Sequence, residues 1–173
     1  MTSGHFDAWI QGEEFSTDVD DRMRVGMPGT ARNAITVGAY TTKNQWNDVT
    51  GATHSIPATV GAIAAFSNDG PTGDGRPKPE ITAPGQKICS TLSEQSPAGA
   101  YGSMYSSTRD ICQDGRHGIV QGTSMAAPHV TGAVALLLNM NHNLDAAQLK
   151  QLLTGHARSD SFTGTLPNNR WGY

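Results

Sequence analysis

The chain has 173 residues, of which 36% are hydrophobic and 16% charged, with a formal net charge of −3. That length fits one domain, and mild acidity without a basic run gives neither nucleic acid nor an anionic membrane a surface to hold. The longest apolar stretch, residues 133–138, is far too short to span a bilayer. No charged-then-apolar signal segment follows Met1, which leaves export open.

Twenty glycines and nine prolines fall between short apolar runs, the layout of an α/β protein with long functional loops. Asp18, Asp20 and Asp21 form an acidic cluster, and Val25-Gly26-Met27-Pro28-Gly29 reads as a turn. Residues 33–40 set Ile35, Val37 and Ala39 among small residues and predict a buried strand. Residues 62–66 and 80–83 are short strand candidates on either side of the Gly- and Pro-rich loop 69–79, and residues 86–92 form another. Residues 93–114 make a long polar connection rich in serine and glycine, which predicts an irregular loop. His117 to Gln121 reads as a strand. The principal helix is predicted over residues 124–140, apolar on nearly every face from Val130 to Leu138 and so expected inside the core. Pro128 lies near enough to its start for the missing N–H to be tolerated. A second helix, from Asp145 to about Thr154, places Leu149, Leu152 and Leu153 on one side. Asn143 or Asp145 caps it and Gly155 ends it.

The most informative run is Gly122-Thr123-Ser124-Met125-Ala126-Ala127-Pro128-His129-Val130. It describes a loop turning abruptly into a helix, with Ser124 at the helix N-terminus beside backbone N–H groups that lack intrahelical partners. Those donors and the positive end of the helix dipole suit an oxygen that gains negative charge during acyl transfer. Thr123 or Ser124 acting only as a helix cap is the plainer alternative.

The whole run resembles the nucleophile motif of the subtilisin-like serine peptidases, the subtilases. The segment from Ala65-Phe66-Ser67-Asn68-Asp69-Gly70-Pro71 through Lys78-Pro79-Glu80-Ile81-Thr82-Ala83-Pro84-Gly85 is similar to the one that precedes that serine in the family. Ala34-Ile35-Thr36-Val37-Gly38-Ala39 and the terminal Pro167-Asn168-Asn169-Arg170-Trp171-Gly172-Tyr173 match as well, in the family's order. The resemblance implies an α/β, subtilisin-like three-layer fold with a mostly parallel sheet, here without its N-terminal strands and helices. Residues 1–173 are then expected to be the C-terminal portion of one catalytic domain, cut at both ends. It also implies that Ser124 is the nucleophile and that its backbone N–H, assisted by Thr123, holds the oxyanion. Gly26 matches the family loop at the floor of the pocket for the residue before the scissile bond; a simple turn glycine is the equal alternative.

The family's triad runs Asp, His, Ser, yet no segment here looks like its Asp or His motif, and no oxyanion asparagine is found. His129 lies five residues past Ser124, about 140° around a helix and roughly 7.5 Å along it, so its ring points away. His117, in the approach to the serine, has no family pattern as a base. His5, His54, His142 and His156 stand in loop or terminal contexts and are expected to be solvated. The expected activity is peptide-bond hydrolysis through an acyl-enzyme on Ser124, with Asp and His supplied from an upstream segment and the isolated chain essentially inactive. An inactive fragment or pseudo-peptidase acting as a binding module is the alternative. An α/β-hydrolase esterase is disfavoured because Ala126 stands where the nucleophile elbow needs glycine.

No cofactor is required by the resemblance, although subtilases often carry structural calcium. Asp18, Asp20 and Asp21, or Asp69 and Asp74, could supply oxygen ligands, but neither group has a calcium-loop spacing. Cys89 and Cys112 match no zinc pattern; they are either a disulfide or two unrelated thiols. The expected partner is a peptide or protein substrate, and a secreted or periplasmic parent is implied. Apolar surface on the principal helix, left uncovered by absent strands, is expected to drive self-association.

Overall fold

The computed structural model describes residues 22–95, 105 and 107–173. In chain order its strands are β1 (Val37–Thr41), β2 (Gln45–Asn47), β3 (Thr53–Ser55), β4 (Ile81–Gln86), β5 (Ile88–Thr91) and β6 (His117–Val120), followed by α1 (Thr123–Met140) and α2 (Ala146–Gly155). A 3-10 turn at Thr108–Asp110 precedes β6. The architecture is α/β. β1 and β4 pair in parallel, with Val37 opposite Ile81 and Ala39 opposite Ala83. The other two sheets are antiparallel hairpins, β2 with β3 and β5 with β6.

The core lies between the parallel pair and α1. Ala39, Ala64, Ala83, Ala126 and Val130 form its buried centre, ringed by Ile35, Val37, Phe66, Ile81 and Leu153. Small residues predominate because the backbones approach closely. A Cβ on Gly85 would stand 2.6 Å from the Ala39 Cβ and 2.9 Å from the Gly122 carbonyl, so only glycine fits at that crossing. Residues 62–66 form no strand of their own, contrary to expectation. They bond to the second edge of β1 instead, through Ala64 N to the Ala39 carbonyl and Thr41 N to the Ala62 carbonyl, each at 2.9 Å.

The expectation for α1 needs correction. Its buried residues are Ala126 and Val130 alone, while Leu136 is 69% exposed and Met140 83%. Among the described residues, only the face on β1 and β4 is covered. The apolar composition that predicted an all-round buried helix is present, but Leu136 and Met140 on its other side stay exposed.

The β2–β3 hairpin was not expected from the sequence. Buried Asp48 organises its turn, with Oδ1 accepting from the Thr50 N–H at 2.8 Å, the Thr50 hydroxyl at 2.6 Å and the Ala52 N–H at 3.0 Å. Gly51 takes the left-handed backbone (φ 84°) that this tight turn requires. Cys89 of β5 and Cys112 form a disulfide, which resolves the open choice between a bridge and two thiols. α2 begins at a capping box. The Asp145 carboxylate accepts from the Gln148 N–H, and the Gln148 side chain accepts from the Asp145 N–H.

Candidate active site

β4 and β6 deliver the two glycines that build the serine turn. Gly122 is the N-cap of α1 with φ 147° and ψ 163°, a conformation essentially reserved to glycine. Its N–H donates to the Gly85 carbonyl at 3.0 Å, joining the turn to the end of β4. The chain then enters the helix at Thr123, and Ser124 is exposed on its first turn.

No side chain caps this helix. The cap alternative for Thr123 and Ser124 therefore does not hold, since the cap position belongs to a glycine. The Met125 N–H returns to the Gly122 carbonyl at 3.0 Å, while the N–H groups of Thr123 and Ser124 bond to no other described residue. Two donors without a described partner and the positive end of the helix dipole thus lie on the same turn as an exposed hydroxyl. An anionic oxygen beside Ser124 would be stabilised there.

Four of the histidines among the described residues, His54, His117, His129 and His156, are engaged elsewhere, and His142 is exposed, as expected. His129 Nδ1 donates to the Met125 carbonyl at 2.8 Å, on its own helix. His117 pairs with Asp114 at 2.5 Å, at the end of β6 remote from α1. His54 is not solvated as expected: its Nε2 bonds to Asp48 Oδ2 at 2.8 Å, and its ring lies 5.8 Å from that of Trp46. Asp48 is held well below the usual carboxylate range, first by the His54 and Thr50 side chains and then by the turn N–H groups, against the opposing effect of burial. His156 bonds to the Leu152 carbonyl at 2.9 Å and closes α2. His5 and the acidic cluster Asp18, Asp20 and Asp21 lie outside the described residues.

Gly26 sits in an exposed loop, and nothing stands within 4 Å of where its side chain would be. The loop is open at that point. Asp69 and Asp74, considered as calcium ligands, face arginines instead. Asp74 accepts from Arg76 Nε at 2.9 Å and lies 3.4 Å from Arg32, and Asp69 is 4.0 Å from Arg170. The Arg76 and Thr72 bonds lower the Asp74 pKa to about 2 against the opposing effect of burial, with the charges of Arg76 and Arg32 contributing less. Among the described residues no three His, Cys, Asp or Glu side chains converge to hold a metal ion.

Sequence reasoning missed a second charged cluster. Lys78 and Glu80, alternate residues of Lys78-Pro79-Glu80, are both almost fully buried and form an ion pair at 2.7 Å. Lys150 of α2 joins Glu80 Oε1 at 2.5 Å, and the Thr36 N–H donates to Oε2 at 2.7 Å. Burial pushes the Glu80 carboxyl up, but Lys150, Lys78 and the Thr36 N–H outweigh it and leave the pKa below its ordinary value. Two opposite charges bracketing a proline, immediately before the apolar start of β4, were the available signal.

Residues 12–173 match the Subtilase family (Peptidase S8) profile. An uncharacterized protein of Aquifex aeolicus is 38% identical over 136 residues, which cover 77% of this chain and 54% of that protein. Serine protease AprX of Bacillus subtilis is 33% identical over 133 residues, covering 77% of this chain and 26% of AprX. The chain thus spans about half the length of the first relative and a quarter of the second. Among solved structures, the CspB protease of Clostridium perfringens superposes with a TM-score of 0.59 and 26% identity, over 87% of this chain and 26% of that one.

Proposed function

This chain belongs to the subtilase family, and on that premise we propose that it carries the nucleophile of a serine endopeptidase, Ser124. The observation that supports this most is the geometry at Gly122. It presents an exposed serine on a helix start whose first two N–H groups bond to no other described residue. In the proposed reaction Ser124 Oγ forms a bond to the substrate carbonyl carbon. Its proton passes to a histidine, oriented by an aspartate, and both come from a segment other than the described residues. The carbonyl oxygen, now anionic, is held by the Ser124 N–H with help from Thr123. The histidine proton then goes to the leaving amine as the peptide bond breaks, and water resolves the acyl-enzyme by the same relay. Gly26 forms the floor of the pocket for the residue before the scissile bond, and its missing side chain leaves room for a large one.

On this reading residues 1–173 are one portion of a single catalytic domain, and alone they are essentially inactive. A serine without a base is a weak nucleophile at neutral pH. The engagement of His54, His117 and His129 in other bonds favours that expectation over an internal triad. The disulfide favours an exported protein.

The test is labelling of the purified chain with a fluorophosphonate probe, read by intact mass beside Ser124→Ala. A folded chain should not label, and labelling should appear when the upstream part of a subtilase domain is supplied. Labelling of the chain alone that is lost in Ser124→Ala would mean an internal base exists and would overturn the incomplete-triad reading. No labelling in any extended form would favour the binding-module alternative.

A further inference from the structure

The loop between Gly26 and β1 contains no strand, yet its carbonyls are held one after another by side chains, one from the loop itself and two from a distant part of the chain. The Gly29 carbonyl accepts from the Thr36 hydroxyl at 2.6 Å. The Thr30 carbonyl accepts from Arg76 Nη2 at 2.8 Å. Those of Ala31 and Ala34 both accept from Lys78 Nζ, at 3.1 and 2.8 Å. Lys78 also donates to Thr36 Oγ1 at 3.1 Å, so the hydroxyl that holds Gly29 is itself oriented by the ammonium. Upstream of Gly26 the pattern continues through backbone. The Met23 and Arg24 N–H groups donate to the Gly70 and Asp69 carbonyls at 3.3 and 2.9 Å.

Backbone polar groups in a loop without a ladder must find other partners or face water. Here one buried cation serves two carbonyls and a hydroxyl, and Glu80 balances its charge. A buried ion pair is poor evidence for stability, because an apolar pair of similar volume does as well or better. What it supplies is direction. An ammonium with fixed acceptors admits one arrangement of residues 29–36, whereas an apolar plug would admit several.

We propose that Lys78, assisted by Arg76, is the positioning residue of the Gly26 loop and thereby a determinant of which substrate side chain the pocket accepts. The specificity half of this rests on the reading of Gly26 as the pocket floor; the positioning half does not. Neither Lys78 nor Arg76 touches substrate. Each acts through the carbonyls of residues 30–34, one from within the core and one from its edge.

The experiment uses the chain with ¹³C-methyl methionine. Met27 reports on the loop, and Met140, at the far end of α1, serves as control. Lys78→Met/Glu80→Gln removes both buried charges together, and Arg76→Ala removes the outer contact without burying an unpaired charge. In the double variant the Met27 signal should move and trypsin should cut after Arg24 and Arg32 at least tenfold faster. Met140 and the cut after Arg158 should not change. Arg76→Ala should accelerate the Arg32 cut about threefold. Unchanged cutting after Arg32 in a folded double variant, or equal acceleration at Arg158, overturns positioning. If the double variant does not fold, Arg76→Ala decides alone, and an unchanged Arg32 cut overturns the proposal.

N-acetyl-alanyl-phenylalanine and N-acetyl-alanyl-alanine, titrated against the Met27 signal, separate the two halves. Wild type should prefer the phenylalanyl peptide at least fivefold, and the double variant (Arg76→Ala if it does not fold) less than twofold. No preference in wild type overturns the Gly26 reading and the specificity half, and leaves positioning to the trypsin result. Preference retained in the variant overturns the specificity half while the Gly26 reading stands.

Discussion

At Gly122 and Gly85 the serine turn depends on the absence of a side chain. Gly122→Ala places a Cβ on a backbone at φ 147° and is expected to cost about 1–3 kcal/mol, measured by urea denaturation. An alanine variant as stable as wild type would show that the turn is not strained for L-residues. Asp48 and Glu80 give a second expectation, about pH. Both have folded-state pKa values below their ordinary ones, Asp48 chiefly through His54 and Thr50, Glu80 through Lys150, Lys78 and the Thr36 N–H acting against burial. A depressed carboxyl pKa contributes stability that is fully present above the unfolded value of about 4 and is lost as pH falls through the folded value. Thermal stability should therefore be insensitive to these groups from pH 5 to 8 and decline below about pH 4. A melting temperature that rises between pH 5 and pH 3 would contradict the assignment. Ser124 was legible in the sequence because its signal is local, a glycine, a small residue and a helix start in consecutive positions. Lys78 was not, because its acceptors Ala31, Ala34 and Thr36 lie 42 to 47 residues away and only folding brings them together.

Among the elements, those with long apolar periodicity were readable and the short polar ones were not. Both helices fall within a residue or so of expectation, because α1 follows a glycine bend and is predominantly apolar and α2 carries a cap at Asp145. The first strand begins at Val37 rather than Asn33, since Thr36 bonds to Glu80 before the regular ladder starts. β2 and β3 have three residues each, too few to show alternation, and their turn is specified by Asp48 and Gly51. The β5–β6 unit carries a prediction of its own. The Cys89–Cys112 bridge spans 23 residues and ties the segment after the 3-10 turn to β5, one strand away from the approach to Ser124. Chain-entropy reasoning gives a loop of that size about 3 kcal/mol of stabilisation. Reduction with dithiothreitol, or Cys89→Ala/Cys112→Ala, should lower the unfolding free energy by about that amount in urea titration. A loss under about 0.5 kcal/mol would mean that the hydrogen bonds of the hairpin already constrain the segment.

For the molecule as a whole, the decisive feature is what α1 leaves uncovered. Its sequence is that of a helix enclosed on every side, and the parallel pair β1–β4 covers only the face bearing Ala126 and Val130. Leu136 and Met140 stand one turn apart on the open side, and Gly132, one turn before Leu136, and the adjacent Ala135 are exposed as well. Small residues at such positions let another backbone approach closely, while Leu136 and Met140 supply the apolar area that contact would remove from water. In the chain alone the available apolar partner is a second copy, so dimers or larger species are expected in solution. Light scattering across a concentration series should show mass rising with concentration. Leu136→Glu/Met140→Glu should return the chain to monomer without loss of fold, since neither side chain packs in the core. The same double variant separates two explanations of any association. If the masses do not change, contact runs through some other surface, such as exposed Met27, and the open side of α1 is not what drives it. A monomer at every concentration in the unmodified chain would show that α1 tolerates water on this face, and that its apolar composition is not matched by any gain from covering it.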